Sequence, residues 1–220
     1  YGYGINNRKK IYPASIVKIV YSLAIYEWIE NKTIFRDIQV DEAIKEMLQN
    51  SSNDATSFIV DLLTGTTSGP SLEKEIFNRW KYQRKIINDW LKTLNWEELQ
   101  DFNCCQKTWE DSPYGREKDF YGTSNENRNA MTTDGTARIM EEIMQNISFN
   151  EKNINLKNCL FRKIKEQSQE KDANNQIDGF LGEGLPQKIP FWSKAGLMSE
   201  ARHDAAWWIN KNQSKTLLVV

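Results

Sequence analysis

Ser15 and Lys18 are the residues in this chain best placed to do chemistry together. They stand at i and i+3 in Tyr12-Pro13-Ala14-Ser15-Ile16-Val17-Lys18, and residues so spaced share one face of a helix. The run they open, Ile16 to Ile29, is apolar nearly all the way round: Ile16, Val17, Ile19, Val20, Leu23, Ala24, Ile25, Trp28 and Ile29. Such a helix is normally buried inside a larger protein. Lys18 is the only charge between Lys10 and Glu27. Burying an ammonium there is costly unless it is paired or deprotonated. A deprotonated lysine beside a serine hydroxyl is a base next to a nucleophile. The tetrad also admits a plainer reading, a serine N-cap and a lysine whose stem carries its charge to water.

Two more stretches carry polar groups at suggestive places. Asn50-Ser51-Ser52-Asn53-Asp54-Ala55-Thr56 reads as a polar loop ahead of an apolar helix, Ser57 to Leu63, that ends at Gly65. Lys194-Ala195-Gly196 lies in a strand pattern, Phe191 to Met198, and Arg202 opens the next strand. The single histidine, His203, neighbours Asp204, but adjacent strand residues point to opposite faces, so the two cannot easily form the pair of a Ser-His-Asp triad. Cys104, Cys105 and Cys159 fit neither a zinc spacing nor a disulfide framework. They read as buried thiols, with a Cys159 pairing left open. No metal or organic cofactor is implied.

The elements that must position these residues follow from periodicity. Residues 1–11 read as the tail of a strand and a basic turn. Helices are expected over Asp41–Gln49, over most of Ser71–Leu94 with Leu72, Ile76, Phe77, Trp80, Ile86, Ile87, Trp90 and Leu91 inward, over Gly135–Gln145 behind a Thr132-Thr133-Asp134 cap, and over Ile154–Gln169. Residues 95–130 are irregular, and a loop of that length in a compact domain usually has a function. Residues 172–190 read as loop. Strands 191–198, 202–209 and 216–220 close the chain, the last two joined as an antiparallel hairpin by Asn210-Lys211-Asn212-Gln213. The whole is an α+β pattern: one domain over 1–220, with a helical lobe over about 15–150 and a sheet lobe built from about 1–14 and 151–220.

Ser15-Ile16-Val17-Lys18, Ser51-Ser52-Asn53 and Lys194-Ala195-Gly196 occur in that order, each on its expected element. On these residues the chain resembles the penicillin-recognising serine hydrolases, specifically the class A β-lactamase-like branch with its Ser-x-x-Lys, Ser-Asp-Asn and Lys-Thr/Ser-Gly signatures. Thr64-Gly65-Thr66-Thr67-Ser68-Gly69-Pro70, Gln106-Lys107-Thr108-Trp109 and Tyr114-Gly115-Arg116-Glu117 look like a cyanobacterial penicillin-binding-protein-like subgroup. The resemblance implies a β-lactamase/transpeptidase-like fold with the active site between the lobes. It implies that Ser15 attacks, Lys18 takes its proton, and Ser51 relays a proton to the leaving nitrogen. Asn53 would hold the substrate amide and Lys194 attract the substrate carboxylate. Arg202 would either help Lys194 or make a structural salt bridge. Backbone N–H groups of Ser15 and Leu197, the latter following Gly196, would form the oxyanion hole.

Three departures qualify these expectations. Ala195 replaces the family's hydroxyl residue and cannot donate to a carboxylate. The gap from Ser15 to Ser51 is short, which suggests a more open cleft. The family's Glu-x-x-Leu-Asn, whose glutamate activates the deacylating water, is missing between Trp96 and Met131. Glu117 and Glu126 are the nearest substitutes, each with a plainer reading as a solvated or salt-bridged loop residue. A penicillin-binding hydrolase acting on D-Ala-D-Ala-type peptidoglycan peptides, with slow deacylation, is therefore expected. The rivals are a true β-lactamase, a small-substrate esterase or amidase, and a wall-binding protein without catalysis.

Composition excludes several classes. The 220 residues carry a net charge of −1 with 39% hydrophobic and 27% charged residues, which describes a globular chain with no pull toward nucleic acid or an anionic membrane. No apolar run reaches a membrane span. The sequence starts at Tyr1 just ahead of the tetrad and stops within a strand pattern, so truncation at both ends is expected. Export to the periplasm or envelope is implied by the family resemblance alone.

Overall fold

The computed structural model describes residues 2–145, 151–164 and 175–220. A 3₁₀ turn, Ala14–Val17, runs directly into α1, Lys18–Glu30. Helix α1 is the axis of the core, with Ile19, Val20, Ala24 and Ile25 fully buried on all its sides. This is the arrangement its all-round apolar sequence demands.

Around α1 stand α2 (Ile38–Gln49), α3 (Asn53–Thr64), α4 (Lys74–Arg84), α5 (Ile86–Thr93), α6 (Gly115–Tyr121), α7 (Thr133–Gln145) and α8 (Glu151–Leu160). Asp37 caps α2, accepting from Val40 N at 2.9 Å. Ser52 caps α3, accepting from Ala55 N at 3.1 Å. Gly65, left-handed at φ 62°, ends α3 as such C-termini require. Helix α3 thus begins at Asn53, and only residues 50–52 of the polar cluster are loop. Thr132 accepts from Gly135 N at 3.1 Å, so the expected cap is present.

Several expectations are corrected. The stretch 71–94 divides at Lys85, whose backbone leaves the helical region at φ −88°, ψ 0°. The break lets Trp80 join a small cluster with Cys105 and Phe120, while Ile87 and Leu91 enter the main core. Ile76 and Ile86 face outward, 56% and 40% exposed. Helix α8 ends at Leu160, where the chain turns extended as β1, Phe161–Arg162; residues 165–169 of the expected helix lie outside the described residues. Residues 2–11 form no strand beyond an isolated bridge, Ile11 to Met131. They are also held by Asn7 O, which accepts from Asp134 N at 3.1 Å, and by Arg8, which pairs with Glu97 and Asp134 at 3.1 and 3.0 Å.

The sheet is antiparallel in the order β1-β2-β3-β4, with β2 Phe191–Met198, β3 Ala201–Ile209 and β4 Lys215–Val219. Lys194 pairs with Ala205 and Gly196 with His203. One sheet face meets α7 and α8, while β2 runs alongside the Ser15 turn. All three cysteines are free and buried. Among the described residues no helix is long and apolar enough to cross a membrane, and no His/Cys/Asp/Glu group forms a metal cluster.

Candidate active site

Ser15 is presented by a strained turn. Ala14, immediately before it, has φ +46°, and Ser51 across the site has φ +56°. A residue with a Cβ pays about 1–2 kcal/mol for that region, and such outliers cluster at functional sites. The turn is braced by β2. A Cβ on Gly196 would lie 2.8 Å from Pro13 O, 3.1 Å from Ile16 Cγ1 and 3.4 Å from Ala14 Cβ. Glycine at 196 therefore lets the strand reach the Ser15 turn.

Lys18 lies under that turn, fully buried. Its Nζ reaches the Ser51 carbonyl, Asn53 Oδ1 at 2.9 Å and Ser51 Oγ at 3.2 Å; Ser15 Oγ is not among its partners. No carboxylate compensates the burial, which pulls the amine down to about 7. A neutral amine has two N–H donors and a lone pair. The two oxygens at shorter range take the donors, leaving the lone pair to accept a proton.

Lys194 is the second buried amine. Its Nζ donates to Ser51 Oγ at 2.9 Å, to Gln176 Oε1 at 2.8 Å and to Ala195 O at 2.7 Å. Burial pushes it well below its ordinary value, and the charges of Lys18 and Arg162 add to the shift, while Asp204 opposes it. Ser51 Oγ thus joins two amines, a geometry that can pass a proton from one to the other. Gln176 ties this end of the site together: Oε1 also accepts from Ala195 N at 3.0 Å, and Nε2 donates to Leu48 O and Gln49 O at 3.2 and 2.7 Å. Asp204, buried on β3, is held up at about 6 by desolvation.

Ser15 opens on a cleft of about 460 Å³ shared with Tyr12, Asn53, Leu197 and the segment 106–113. That segment is held by a side chain. Asn129 Oδ1 accepts from Cys105 N and Gln106 N at 3.0 and 2.9 Å, and its Nδ2 donates to Gln106 O at 2.9 Å. Thr108 Oγ1 donates to Asn53 Oδ1 at 2.7 Å. With Lys18 on the same oxygen, the Asn53 amide is oriented with Nδ2 unpartnered among the described residues. Gln106 is 1% exposed, yet neither atom of its side-chain amide has a partner among the described residues, a burden of about 1–3 kcal/mol for each unmet group.

The candidate residues fall into two sets. Ser15, Lys18, Ser51, Asn53, Lys194, Ala195, Gly196 and Leu197 converge as described. Glu117 does not line the cleft; it is buried in a short ion pair with Arg84 and accepts from Ser68 Oγ at 2.9 Å. Glu126 accepts from Ser124 N at 3.0 Å in an exposed turn. The carboxylates that line the cleft are Glu110 and Asp111. Arg202 donates to Gly179 O at 3.1 Å and makes no salt bridge among the described residues. His203 hydrogen-bonds the Tyr12 backbone and lines a small apolar pocket with Ile11, Met131 and Val219, separate from the Ser15 cleft. Thr108, Gln106 and Gln176 escape motif reading. The first two stand in a stretch singled out only for its likeness to a subgroup, and Gln176 carries no local signal.

A serine on a braced turn over a buried amine, between a helical lobe and an antiparallel sheet, defines a β-lactamase/transpeptidase-like serine hydrolase. The chain belongs to the Beta-lactamase enzyme family, whose model matches residues 32–220. The match starts beyond Ser15 and Lys18, so their assignment rests on the tetrad and its geometry. No curated protein matches. Among solved structures, a β-lactamase from Sphaerobacter thermophilus superposes with a TM-score of 0.66 at 15% identity, covering 99% of this chain and 76% of its own. A point mutant of PBP-A, in an acyl-enzyme complex with penicillin G, gives 0.62 at 14% identity, covering 97% and 73%. A peptidoglycan synthesis regulatory factor from Streptococcus pneumoniae gives 0.63 at 16% identity, covering 99% and 68%. At these identities the likeness shows the fold.

Proposed function

We propose that the protein is an acyl-transferring hydrolase of the penicillin-binding type, acting on D-Ala-D-Ala-type peptides of peptidoglycan and acylated by β-lactams with slow deacylation. The observation that carries this reading is the Lys18–Ser51–Lys194 chain of two buried amines sharing one hydroxyl beside Ser15. Ser15 Oγ attacks the carbonyl carbon, and the Oγ–H proton goes to the Lys18 lone pair. Ser51 gives its proton to the leaving nitrogen as the C–N bond breaks and is reprotonated from an adjoining amine. N–H groups of Ser15 and Leu197 hold the oxyanion, and Asn53 Nδ2 donates to the acyl chain's carbonyl. Lys194 sits behind Ser51 and draws the substrate carboxylate, without help from a hydroxyl at Ala195.

Slow deacylation follows from the carboxylates. Glu117 is spent on Arg84, and Glu110 and Asp111 are exposed on the rim, where none is held in place to activate a water. The penicillin G acyl-enzyme described for the PBP-A mutant supports this reading. A wall substrate fits an exported protein. Intact-mass spectrometry with excess penicillin G over hours, alongside Ser15→Ala, tests it. A persistent adduct on the wild type and none on Ser15→Ala is expected. An adduct that clears as drug is consumed means a β-lactamase. No adduct at all overturns the reading and favours a small-substrate esterase.

A further inference from the structure

We propose that the cleft beside Ser15 carries an acyl-side subsite, built by Gln106, Glu110 and Asp111, for a chain bearing an amide and a primary ammonium. This rests on the proposed acyl-transfer chemistry and names the acyl donor it selects.

Gln106 is the first observation. Its side-chain amide is buried without a partner among the described residues, although the residue lines the cleft. The backbone cannot shift to relieve it, because N and O are both bonded to Asn129 and O also accepts from Tyr21. An unmet amide held rigidly at the cleft offers donors and an acceptor together, the complement of a peptide unit. The charges around it are the second observation. Four charged side chains line the cleft: Lys107, Arg128, Glu110 and Asp111. Lys107 is tied to Asp61 at 2.8 Å, and the Arg128 guanidinium lies 3.9 Å from the Tyr12 ring centroid. Glu110 and Asp111 have no ion pair among the described residues. The cleft therefore keeps an excess negative charge at its rim, which favours an ammonium over a neutral or anionic group. Trp109 between these parts adds an aromatic face that suits a cation equally well.

Ampicillin, penicillin G and carbenicillin serve as probes, since they share the ring and side-chain amide and differ at one position: ammonium, hydrogen or carboxylate. Acylation rate constants from intact mass should rank in that order, each step about three- to ten-fold, and narrow with salt. A Glu110→Gln, Asp111→Asn double variant should flatten the ranking. Gln106→Leu should slow all three several-fold while leaving the melting temperature unchanged or higher, because it removes an unmet polar group. Binding of the same three compounds to Ser15→Ala, followed by calorimetry, reads the ranking without chemistry. Equal rates and affinities, or a Gln106→Leu that melts early yet acylates normally, overturn the subsite. A ranking preserved in Ser15→Ala with no adduct on the wild type overturns only the acyl-enzyme reading.

Discussion

Acylation of Ser15 should switch on across neutral pH, because Lys18 loses its proton there. A lysine at its ordinary value near 10.5 is about one part in 3,000 neutral at pH 7. Burial brings Lys18 to about 7, so half is neutral at pH 7, a gain of about 10³ in available base. The neutral fraction is then about one tenth at pH 6 and nine tenths at pH 8. The rate of penicillin G labelling, measured by intact mass from pH 5 to 9.5, should rise about ten-fold between pH 6 and 8 and level off. Coupling through Ser51 makes the inflection a property of the Lys18–Lys194 pair, so Lys18→Arg provides the control: it keeps a cation, removes the base and should abolish labelling. The linkage has a definite sign. Between about 7 and 10.5 the unfolded chain binds more protons at this site than the folded one, so the site's contribution to stability grows with pH over that window. The melting temperature of Lys18→Met should therefore exceed the wild type most below pH 7, with the gap narrowing by pH 10. A labelling rate that climbs without levelling to pH 9.5 would refute the assignment of a neutral Lys18 as base.

Other outcomes follow from geometry. Gly196→Ala drives a Cβ against Pro13 O; about 1–3 kcal/mol of stability should be lost, and labelling should fall at least ten-fold as the Ser15 turn moves, both readable from a melt and an adduct time course. Thr108→Val removes the donor that fixes Asn53, so labelling should slow about three- to ten-fold, with recovery in Thr108→Ser. Arg84→Met takes away the short ion-pair partner of buried Glu117, leaving it Lys107 at 3.9 Å and Ser68, and should cost about 3–5 kcal/mol in denaturant unfolding. Glu117→Gln should leave the adduct's lifetime unchanged; a lengthened lifetime would show Glu117 to be a working base.

What could be read from residues alone depended on whether the signal was local. Helix α1 was legible because its apolar residues cover every face, and Lys18 stood out as the lone charge within them. The order of Ser15, Ser51 and Lys194 was legible because each sits beside a recognisable helix or strand start. The division at Lys85 was not, since Phe77 and Trp80 keep helical spacing with Ile87 and Leu91 although they serve different clusters. Residues 95–130 hid a short helix, Gly115–Tyr121, whose Glu117 makes its ion pair across 33 positions. Gln176 is tied to Lys194 and to the end of α2, 127 and 128 positions away. No windowed pattern reports such contacts.

Asn129 gives the cleft wall an unusual kind of attachment. One side-chain amide stands in for a neighbouring strand, meeting two backbone N–H groups and a carbonyl that would otherwise need a β-partner. Just beyond it, Lys107 and Thr108 tie the wall to Asp61 and Asn53, so the fastening covers residues 105–108 without a ladder of strand pairings. Changes in length and charge can therefore concentrate in residues 109–113 while Ser15, Lys18 and Ser51 stay where they are. Asn129→Asp, which exchanges the amide donor for a second acceptor facing Gln106 O, breaks the fastening itself.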